Sequence, residues 1–364
     1  MTDPGSDAAC DVGPAESADD VEPVKAQLNK RNTVIGLLVT MVVLVIVFLG
    51  IIPKFANYSE AVDSIKTMSP AWLAVLVASV ILAIFVYVLP YTAAIPHLKY
   101  GPAFVIRQTS FTISNAVPAG GAVGLALQYA MLSSYRVPSA AATAGIAITS
   151  VWSFFMTLAL PICGVLALLT TDQMKPSYVW AGVVGVAAIA VTVTLFWLVL
   201  RSDFSARKVG QFATQAAHPV TKRMKHRPDI TSSLVHFREG IVGVVSARWI
   251  WITVSNVLVV LTQFLILYIS ILAVGSGNDG GFSVFAAFAA FAISRLGGMI
   301  PITPGGLGTV DVILTGLLVA FGLPQSTAVA AALVWRASAF LPQVCLGVAT
   351  GLWWRARQAR AGKL

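Results

Sequence analysis

The chain alternates between long apolar stretches and shorter polar segments. The first apolar stretch, TVIGLLVTMVVLVIVFLGII, begins at Thr33 and stops before Pro53. A helix of about 20 residues crosses a hydrocarbon core about 30 Å thick. The pattern predicts an all-α, polytopic membrane helix bundle with about six full spans, at residues 33–52, 71–90, 139–169, 179–200, 249–274 and 326–354.

One apolar region of the second half is interrupted by glycines and prolines. Between FSVFAAFAAFAI and VILTGLLVAF lies RLGGMIPITPGGLGTVD, from Arg295 to Asp311. A continuous helix is not expected there, because proline lacks an amide donor and glycine costs roughly 1 kcal/mol relative to alanine. Broken backbone at membrane depth is tolerated where it is buried in protein or lines a cavity. This stretch is therefore the first candidate for a substrate site.

The first half contains a similar interruption. FTISNAVPAGGAVG, from Phe111, matches FAISRLGGMIPITPGGLG, from Phe291, and YRVPSAAATAG matches FGLPQSTAVAA. The match defines two repeat units, at about 97–169 and 282–352. Each unit is expected to contain a pair of short, broken or re-entrant helices followed by one full span, which gives eight or so membrane segments in all.

The charges of the loops indicate opposite orientations for the two units. His97 and Lys99 precede the first unit, whereas the second follows GSGNDGG, a loop without a basic residue. Basic loops mark the cytoplasmic side. Inverted repeats of this kind occur in secondary transporters, where discontinuous segments meet near the midplane. We therefore predict that the units are inverted.

Composition supports a membrane protein with polar ends. The chain is 57% hydrophobic and 11% charged, and its mean hydropathy is +0.83, which excludes an ordinary soluble globular class. Lysine and arginine counts place both termini in the cytoplasm and the protein in the cytoplasmic membrane. The predicted regions are a disordered acidic tail (1–24), a membrane domain (25–355) with a cytoplasmic basic loop (201–239) and outward-facing loops (54–69, 171–177 and 275–281), and a basic cytoplasmic tail (356–364).

The net charge of +9 conceals a more basic membrane body. Residues 25–364 carry 24 basic and 8 acidic side chains. The excess is explained either by topology signals or by an anionic, phosphate-bearing lipid partner. The basic loop has few aromatic residues for base stacking, so no nucleic acid is expected. Three cysteines without a CxxC motif or a Cys/His cluster predict neither a metal site nor a cofactor.

Charged side chains within the apolar segments are the leading candidate binding residues, because such side chains need partners or a wet cavity. Asn115, Gln128 and Thr303 are candidates for binding sugar or amide groups, with an interhelical hydrogen bond as the alternative for each. The functional interpretation is that arginines, glycine-loop amides and helix N-termini hold a lipid phosphate. The structural alternative is that Asp311 pairs with Arg336 or Arg295 to fasten the bundle, and the two are not exclusive. The candidate substrate-binding residues are Arg107, Asn115, Gln128, Arg295, Thr303, Gly305, Gly306, Gly308, Asp311 and Arg336.

Catalytic constellations are missing from the sequence. The four histidines lie in or beside inner polar loops, and no pair of membrane carboxylates and no GxxxxGK[ST] loop occurs. The sequence therefore predicts no catalytic residues and a protein that is not an enzyme.

The stretch from Pro301 to Gly347 resembles the lysylphosphatidylglycerol synthase transmembrane family, also called flippase-like. NAVPAGGAVG resembles the family's first-half run, so the resemblance covers about residues 30–355. Two positions depart from it: the family's acidic residue is usually Glu rather than Asp, and its charged residues of the first-half helix are replaced around 149–152. The residues that match are Pro304, Gly305, Gly306, Gly308, Asp311, Gly322, Pro324, Arg336 and Pro342.

The resemblance implies translocation of a phospholipid or a polyprenyl-phosphate-linked glycan or glycolipid in cell-envelope biogenesis. The soluble aminoacyl-transferase domain of the full-length synthases is expected to be missing, which implies translocation without synthesis. The alternative from another class is a non-catalytic membrane partner of a cell-envelope glycosyltransferase or lipid synthase. A membrane enzyme is a third possibility and would require an essential carboxylate, His or Cys in the cavity.

Overall fold

The computed structural model describes most of the predicted membrane domain and is helical throughout the described part. It covers residues 68–116, 120–169, 171, 230–275, 282–299 and 308–361, with the backbone alone for 230–242, and isolated residues 63, 66, 187, 190, 191, 194 and 198. The helices are α1 (Pro70–Val86), α2 (Leu89–Ala94), α3 (Tyr100–Ala116), α4 (Gly120–Ser134), α5 (Ser139–Leu168), α6 (Ile230–Val274), α7 (Val284–Ser294), α8 (Thr309–Ala320) and α9 (Gln325–Arg360), with a 3-10 turn at Arg295–Met299.

Four segments of the described chain are long and apolar enough to cross a membrane. They are Pro70–Ala94, Ser139–Leu168, Gly243–Val274 and Gln325–Arg360. Each corresponds to one of the predicted spans, and the membrane-helix bundle is thereby confirmed. The predicted span at 33–52 and the acidic tail 1–24 lie outside the described residues, as does nearly all of the span at 179–200.

Two helices extend beyond the predicted spans. Residues 230–239, assigned above to the basic loop, form the start of α6, and α9 continues to Arg360 beyond the predicted end of the membrane domain at 355. Neither extension contains proline, and arginine and glutamate are good helix formers whose charges need only solvent. Hydropathy marks where the apolar core of a helix ends, whereas the helix itself continues into water.

The core of the bundle lies around α7. Seven of its eleven residues are buried, mostly alanines that allow α5, α6 and α8 to approach closely. In contrast, large apolar side chains of the spanning helices point outward, among them Leu73, Phe85, Trp251 and Leu341, each at least half exposed. Outward-facing apolar side chains are stable because lipid is the solvent there. The bundle therefore has small residues in its core around α7 and large apolar residues on its outer surface.

Each repeat unit contains a hairpin of short helices at its Gly/Pro break. In the first unit, α4 folds back along α3, and a Cβ on Gly124 would overlap the Ser114 hydroxyl. In the second unit, the Thr309 hydroxyl at the start of α8 donates to the Gly297 carbonyl across the break, at 3.0 Å. Small residues therefore allow close contact at both breaks.

The first hairpin ends in a left-handed turn before the long helix. The Val137 amide donates to the Leu132 carbonyl at 3.0 Å, and Arg136 has φ 60°. Pro138 then precedes the first residue of α5. This pattern is a Schellman helix end followed by a proline that cannot continue the preceding helix.

The second hairpin ends in the same turn. The Leu323 amide donates to the Leu318 carbonyl at 3.0 Å, Gly322 has φ 100°, and Pro324 precedes α9. Both prolines have φ near −55° and ψ near 142° (−56° and 143° in the first unit, −54° and 141° in the second). The sequence match between the two units therefore corresponds to a matched backbone geometry.

The long helix of each unit packs on the first helix of the other unit. On α9, a Cβ on Gly347 would overlap the Thr112 hydroxyl of α3, and on α5, a Cβ on Gly164 would lie 2.9 Å from the Ala292 side chain of α7. The alignment of FTIS with FAIS pairs Thr112 with Ala292. The two contacts are thus exchanged between units, as a two-fold relation within the chain requires.

Candidate functional site

A buried ion pair joins the start of α8 to the middle of α9. Asp311, 4% exposed, accepts a hydrogen bond from the Gly308 amide through Oδ2 at 2.9 Å. Its Oδ1 accepts from Arg336 Nε at 2.8 Å, and Arg336 Nη2 lies 2.8 Å from the same oxygen. Gly308 has φ 88°, which glycine adopts without strain. The glycine loop thereby aims its last amide at the carboxylate that holds Arg336.

The ion pair lies in a cleft between α8 and α9. The cleft has a volume of about 290 Å³, and most of its lining is apolar. Val312 and Val319 are 43% and 38% exposed, so the cleft borders the lipid-facing surface. Its lining residues are Asp311, Val312, Thr315, Gly316, Val319, Gln325, Val329, Ala332, Leu333 and Arg336.

The Arg336 guanidinium is only partly used by this arrangement. Nε donates to Asp311, but Nη2 is buried and donates no hydrogen bond to any residue that the structure describes. The guanidinium carbon lies 4.9 Å from the centre of the Trp335 ring. The acceptor described beside Nη2, Asp311 Oδ1, is in ion-pairing contact but not aligned for a hydrogen bond. A buried donor left in this state costs free energy, and a phosphate oxygen would satisfy it.

Arg295 follows α7 in the chain and does not line this cleft. Its guanidinium stacks on Phe291 at 4.9 Å and lies 6.0 Å from the Trp335 ring centre. Within the described residues, no carboxylate lies within ion-pairing distance of it. It lines a second cavity, of about 590 Å³, between α5, α6 and the 3-10 turn. The structure therefore selects Arg336, and not Arg295, as the partner of Asp311.

The comparison with known families agrees with this architecture. The family described as the lysylphosphatidylglycerol synthase TM region matches residues 33–347. The chain belongs to this family. A search of the curated proteins found no match.

Membership in the lysylphosphatidylglycerol synthase TM family confirms the resemblance found in the sequence. The match includes both breaks, the Asp311–Arg336 pair and most of α9. The protein is thus a multi-pass membrane protein of a family connected with membrane lipids and the cell envelope. The transmembrane region that defines this family is non-catalytic.

Arg107 lies in the interface of α3 with α1 and α9. Its Nη2 donates to Gln343 Oε1 at 3.1 Å, and the guanidinium lies 4.6 Å from the Phe111 ring centre and 5.2 Å from that of Tyr87. Nη1 is buried without a hydrogen-bond partner among the described residues. Arg107 is therefore held by an amide and two aromatic rings, apart from the Asp311–Arg336 pair.

The other candidate residues are not brought to the ion pair by any described contact. Asn115 donates to the Phe111 carbonyl of its own helix at 2.8 Å, and Gln128 donates to the Tyr91 hydroxyl at 3.1 Å. The Asn115 bond lies within its own helix, whereas the Gln128 bond joins two helices, as polar side chains in membrane bundles commonly do. Three candidates lie outside the described residues: Thr303, Gly305 and Gly306.

Sequence analysis missed the polar residues of α6 and α5 that share a cavity with Arg295. Asn256 and Gln263 of α6 line it together with Ser153 of α5. The available signal was an isolated amide within an apolar span, which is itself a functional indication in a membrane helix. Hydropathy alone does not show which face of the helix carries the amide.

Proposed function

We propose that this protein moves a phosphate-bearing lipid, either a phospholipid or a polyprenyl-phosphate-linked glycolipid, between the leaflets of the cytoplasmic membrane. The observation that carries the proposal is the incompletely used guanidinium of Arg336 at the polar end of an apolar cleft. Arg336 meets the phosphate, and the α8–α9 cleft accommodates part of the lipid chain. Asp311 fixes the orientation of Arg336 through Nε.

The shape and chemistry of the cleft support a lipid over a water-soluble substrate. Its walls are mainly valine, leucine, alanine and glycine, and they open between exposed side chains of the lipid-facing surface. A planar guanidinium matches phosphate oxygens in pairs, whereas apolar walls match hydrocarbon. One amphipathic ligand satisfies both ends of the cleft.

The repeat supports a translocation mechanism. The exchanged packing of α9 on α3 and α5 on α7 gives two similar halves that meet through the first and the long helix of each unit. In transporters with inverted repeats, rocking of one half against the other exposes a central site to either side. We extend this to the present chain, with both termini in the cytoplasm.

Reconstitution into liposomes with fluorescent phospholipids tests the proposal. Purified wild-type protein is expected to accelerate loss of leaflet asymmetry, and Arg336→Met is expected to return the rate to that of protein-free vesicles. Arg355→Ala is the matched control, because Arg355 is an exposed cation on the same helix and lies about 28 Å further along it. It should transport at the wild-type rate.

Two results would contradict the proposal. One is full transport by a folded Arg336→Met protein, which would remove the phosphate contact from the mechanism. The other is an inert wild-type protein across both lipid classes. If that inert protein co-purified with a glycosyltransferase or lipid synthase, the non-catalytic partner function would be favoured instead.

A further inference from the structure

The charges inside the two repeat units are out of balance. The units, at 97–169 and 282–352, contain one acidic residue, Asp311, whereas their helices contain three arginines, at positions 107, 295 and 336. Asp311 is paired with Arg336, and no carboxylate of the described residues lies within ion-pairing distance of Arg107 or Arg295. A charge in an apolar segment needs a partner or a wet cavity. Two guanidinium groups therefore remain available to an anion.

The three guanidinium groups form a row that two aromatic side chains connect. The Trp335 ring centre lies 4.9 Å from the guanidinium carbon of Arg336 and 6.0 Å from that of Arg295. The Tyr87 ring centre lies 5.2 Å from the guanidinium carbon of Arg107. The Tyr87 hydroxyl is within electrostatic range of both Arg107 and Arg295. The order of the row is therefore Arg336, Arg295 and Arg107, with one aromatic residue between neighbours.

The row also advances along α9. Arg107 Nη2 donates to Gln343 Oε1, and Gln343 follows Arg336 by seven residues of the same helix. Two turns of an α-helix span about 10 Å. The C-terminal end of α9 is cytoplasmic in the predicted topology, so Arg107 is held nearer the cytoplasm than Arg336. The row thus has the direction that a path across the membrane requires.

Hydrogen-bond donors surround Arg107. Its Nη1 is buried and has no hydrogen-bond partner within the described ranges. The Tyr91 hydroxyl, which is within electrostatic range of Arg107, accepts from the Gln128 amide at 3.1 Å. The Tyr87 hydroxyl accepts from the Gln263 amide. Each hydroxyl therefore keeps its own proton to donate, and donors are the groups that phosphate oxygens need.

We propose that Arg107, Tyr87 and Tyr91 form a second phosphate site on the transport path. The Arg107 guanidinium pairs with the phosphate, and the two hydroxyls donate to its oxygens. The phosphate reaches this site from Arg336 by way of Arg295, whose guanidinium stabilises the anion between the two sites. The inference rests on the proposed function, because it names the residues that the phosphate meets after Arg336.

The experiment separates binding from transport. Liposomes contain increasing fractions of fluorescent phosphatidylglycerol or of a fluorescent polyprenyl phosphate, which gives a maximal transport rate and an apparent affinity for each lipid. Arg107→Met is expected to lower the maximal rate at least about tenfold, the effect of one lost charge-assisted hydrogen bond. Its affinity for the lipid, measured by titration of the full chain in detergent, should stay at the wild-type value because the first site at Arg336 is intact.

Gln343→Met is the matched control. It breaks the same hydrogen bond to Arg107 but keeps the guanidinium, so its maximal rate should stay close to wild type. Arg107→Lys, which keeps the charge without the planar fork, should be intermediate. Because Arg107 has no carboxylate partner in the described part of the chain, none of these variants strands a carboxylate, and all are expected to fold.

Tyr91→Phe tests the site without removing a charge. It keeps the ring, removes the hydroxyl beside Arg107 and should lower the maximal rate about tenfold. Tyr129→Phe is its control, because Tyr129 packs in a different apolar cluster of α4 and has no described contact with Arg107. It should transport at the wild-type rate.

A folded Arg107→Met protein with the wild-type maximal rate would overturn the inference and leave the proposed function intact. Equal losses in Arg107→Met and Gln343→Met would also overturn it, because a structural role of their shared hydrogen bond would explain both. A wild-type protein that transports neither lipid would contradict the proposed function and the second site together, and no variant is needed to see it.

Discussion

At the scale of single residues, Asp311 performs two structural tasks with its two oxygens. Oδ2 accepts from the Gly308 amide and so caps the start of α8, while Oδ1 holds Arg336 of α9. A carboxylate in the first turn is also favoured by the helix dipole. The structural and functional interpretations of the pair are therefore compatible: the carboxylate fastens α8 to α9 and orients the arginine that faces the cleft.

We expect Arg336→Met to destabilise the protein by roughly 3–5 kcal/mol, because it strands a buried carboxylate. Adding Asp311→Asn should recover much of that loss, since asparagine still accepts from the Gly308 amide and carries no charge. Thermal unfolding of the detergent-solubilised proteins measures both changes in stability. Under the proposed function the double variant is folded but does not transport.

If Arg336→Met were as stable as wild type, the Asp311 carboxylate would have to be hydrated in that variant. A double variant less stable than Arg336→Met alone would show that the Asp311 carboxylate stabilises the start of α8 even without Arg336, and so is not a stranded charge. Either result would contradict the expected stability pattern.

At the scale of elements, the breaks and turns are produced by local chemistry. The second short helix of each unit is followed by a residue with positive φ, Arg136 after α4 and Gly322 after α8. Glycine adopts this conformation readily, whereas other residues pay roughly 1–2 kcal/mol. The second turn, with Gly322, therefore carries less backbone strain than the first. In the first turn the packing of the flanking helices holds Arg136 in the left-handed conformation.

Gly322→Ala is expected to lower stability by about 1 kcal/mol through backbone strain alone. A Cβ there would meet no atom within 4 Å, so steric overlap does not contribute. Gly243→Ala is the matched control: it also has open space, lies within α6 and should be neutral or stabilising because alanine favours helix. Chemical denaturation of both variants gives the signs, and equal signs would contradict the turn argument.

At the scale of the whole molecule, the two units are joined by exchanged contacts rather than placed side by side. The glycine of each long helix meets the first helix of the other unit, so that neither unit forms its packing surface alone. Helix association in lipid depends on close packing of small residues, because apolar surface alone gives no driving force there. The exchange makes the two halves one folding unit around the breaks.

The proposed inverted orientation predicts the sides of the membrane on which polar residues lie. In a cysteine-free background (Cys10, Cys163 and Cys345 replaced by serine), Lys66→Cys should react with a membrane-impermeant maleimide on intact cells. Arg360→Cys should react only after the membrane is permeabilised. The physical reason is retention of basic segments in the cytoplasm. Labelling of Arg360→Cys on intact cells would reverse the topology and exclude the proposed inversion.

The sequence by itself determined the membrane class, the breaks and the residues that are charged within the bundle. Each depends on local chemistry: about 20 apolar residues per span, glycine and proline where a helix stops, and the high cost of a charge in an apolar segment. It also brought Asp311 and Arg336 forward as a candidate pair. The predicted spans begin later than α6 and end earlier than α9, because hydropathy does not detect helix that continues into water.

Only the tertiary structure decided which arginine pairs with Asp311 and which faces the second cavity. Arg295 and Arg336 have similar local surroundings, and the choice follows from how α8 packs against α9. The tertiary structure also decides where Gln263 and Asn256 lie. The orientation of α6 places both residues in the wall of the cavity that it shares with α5 and the 3-10 turn. Periodicity limits which residues share a helix face, whereas the partner of that face is set by contacts between residues far apart in the chain.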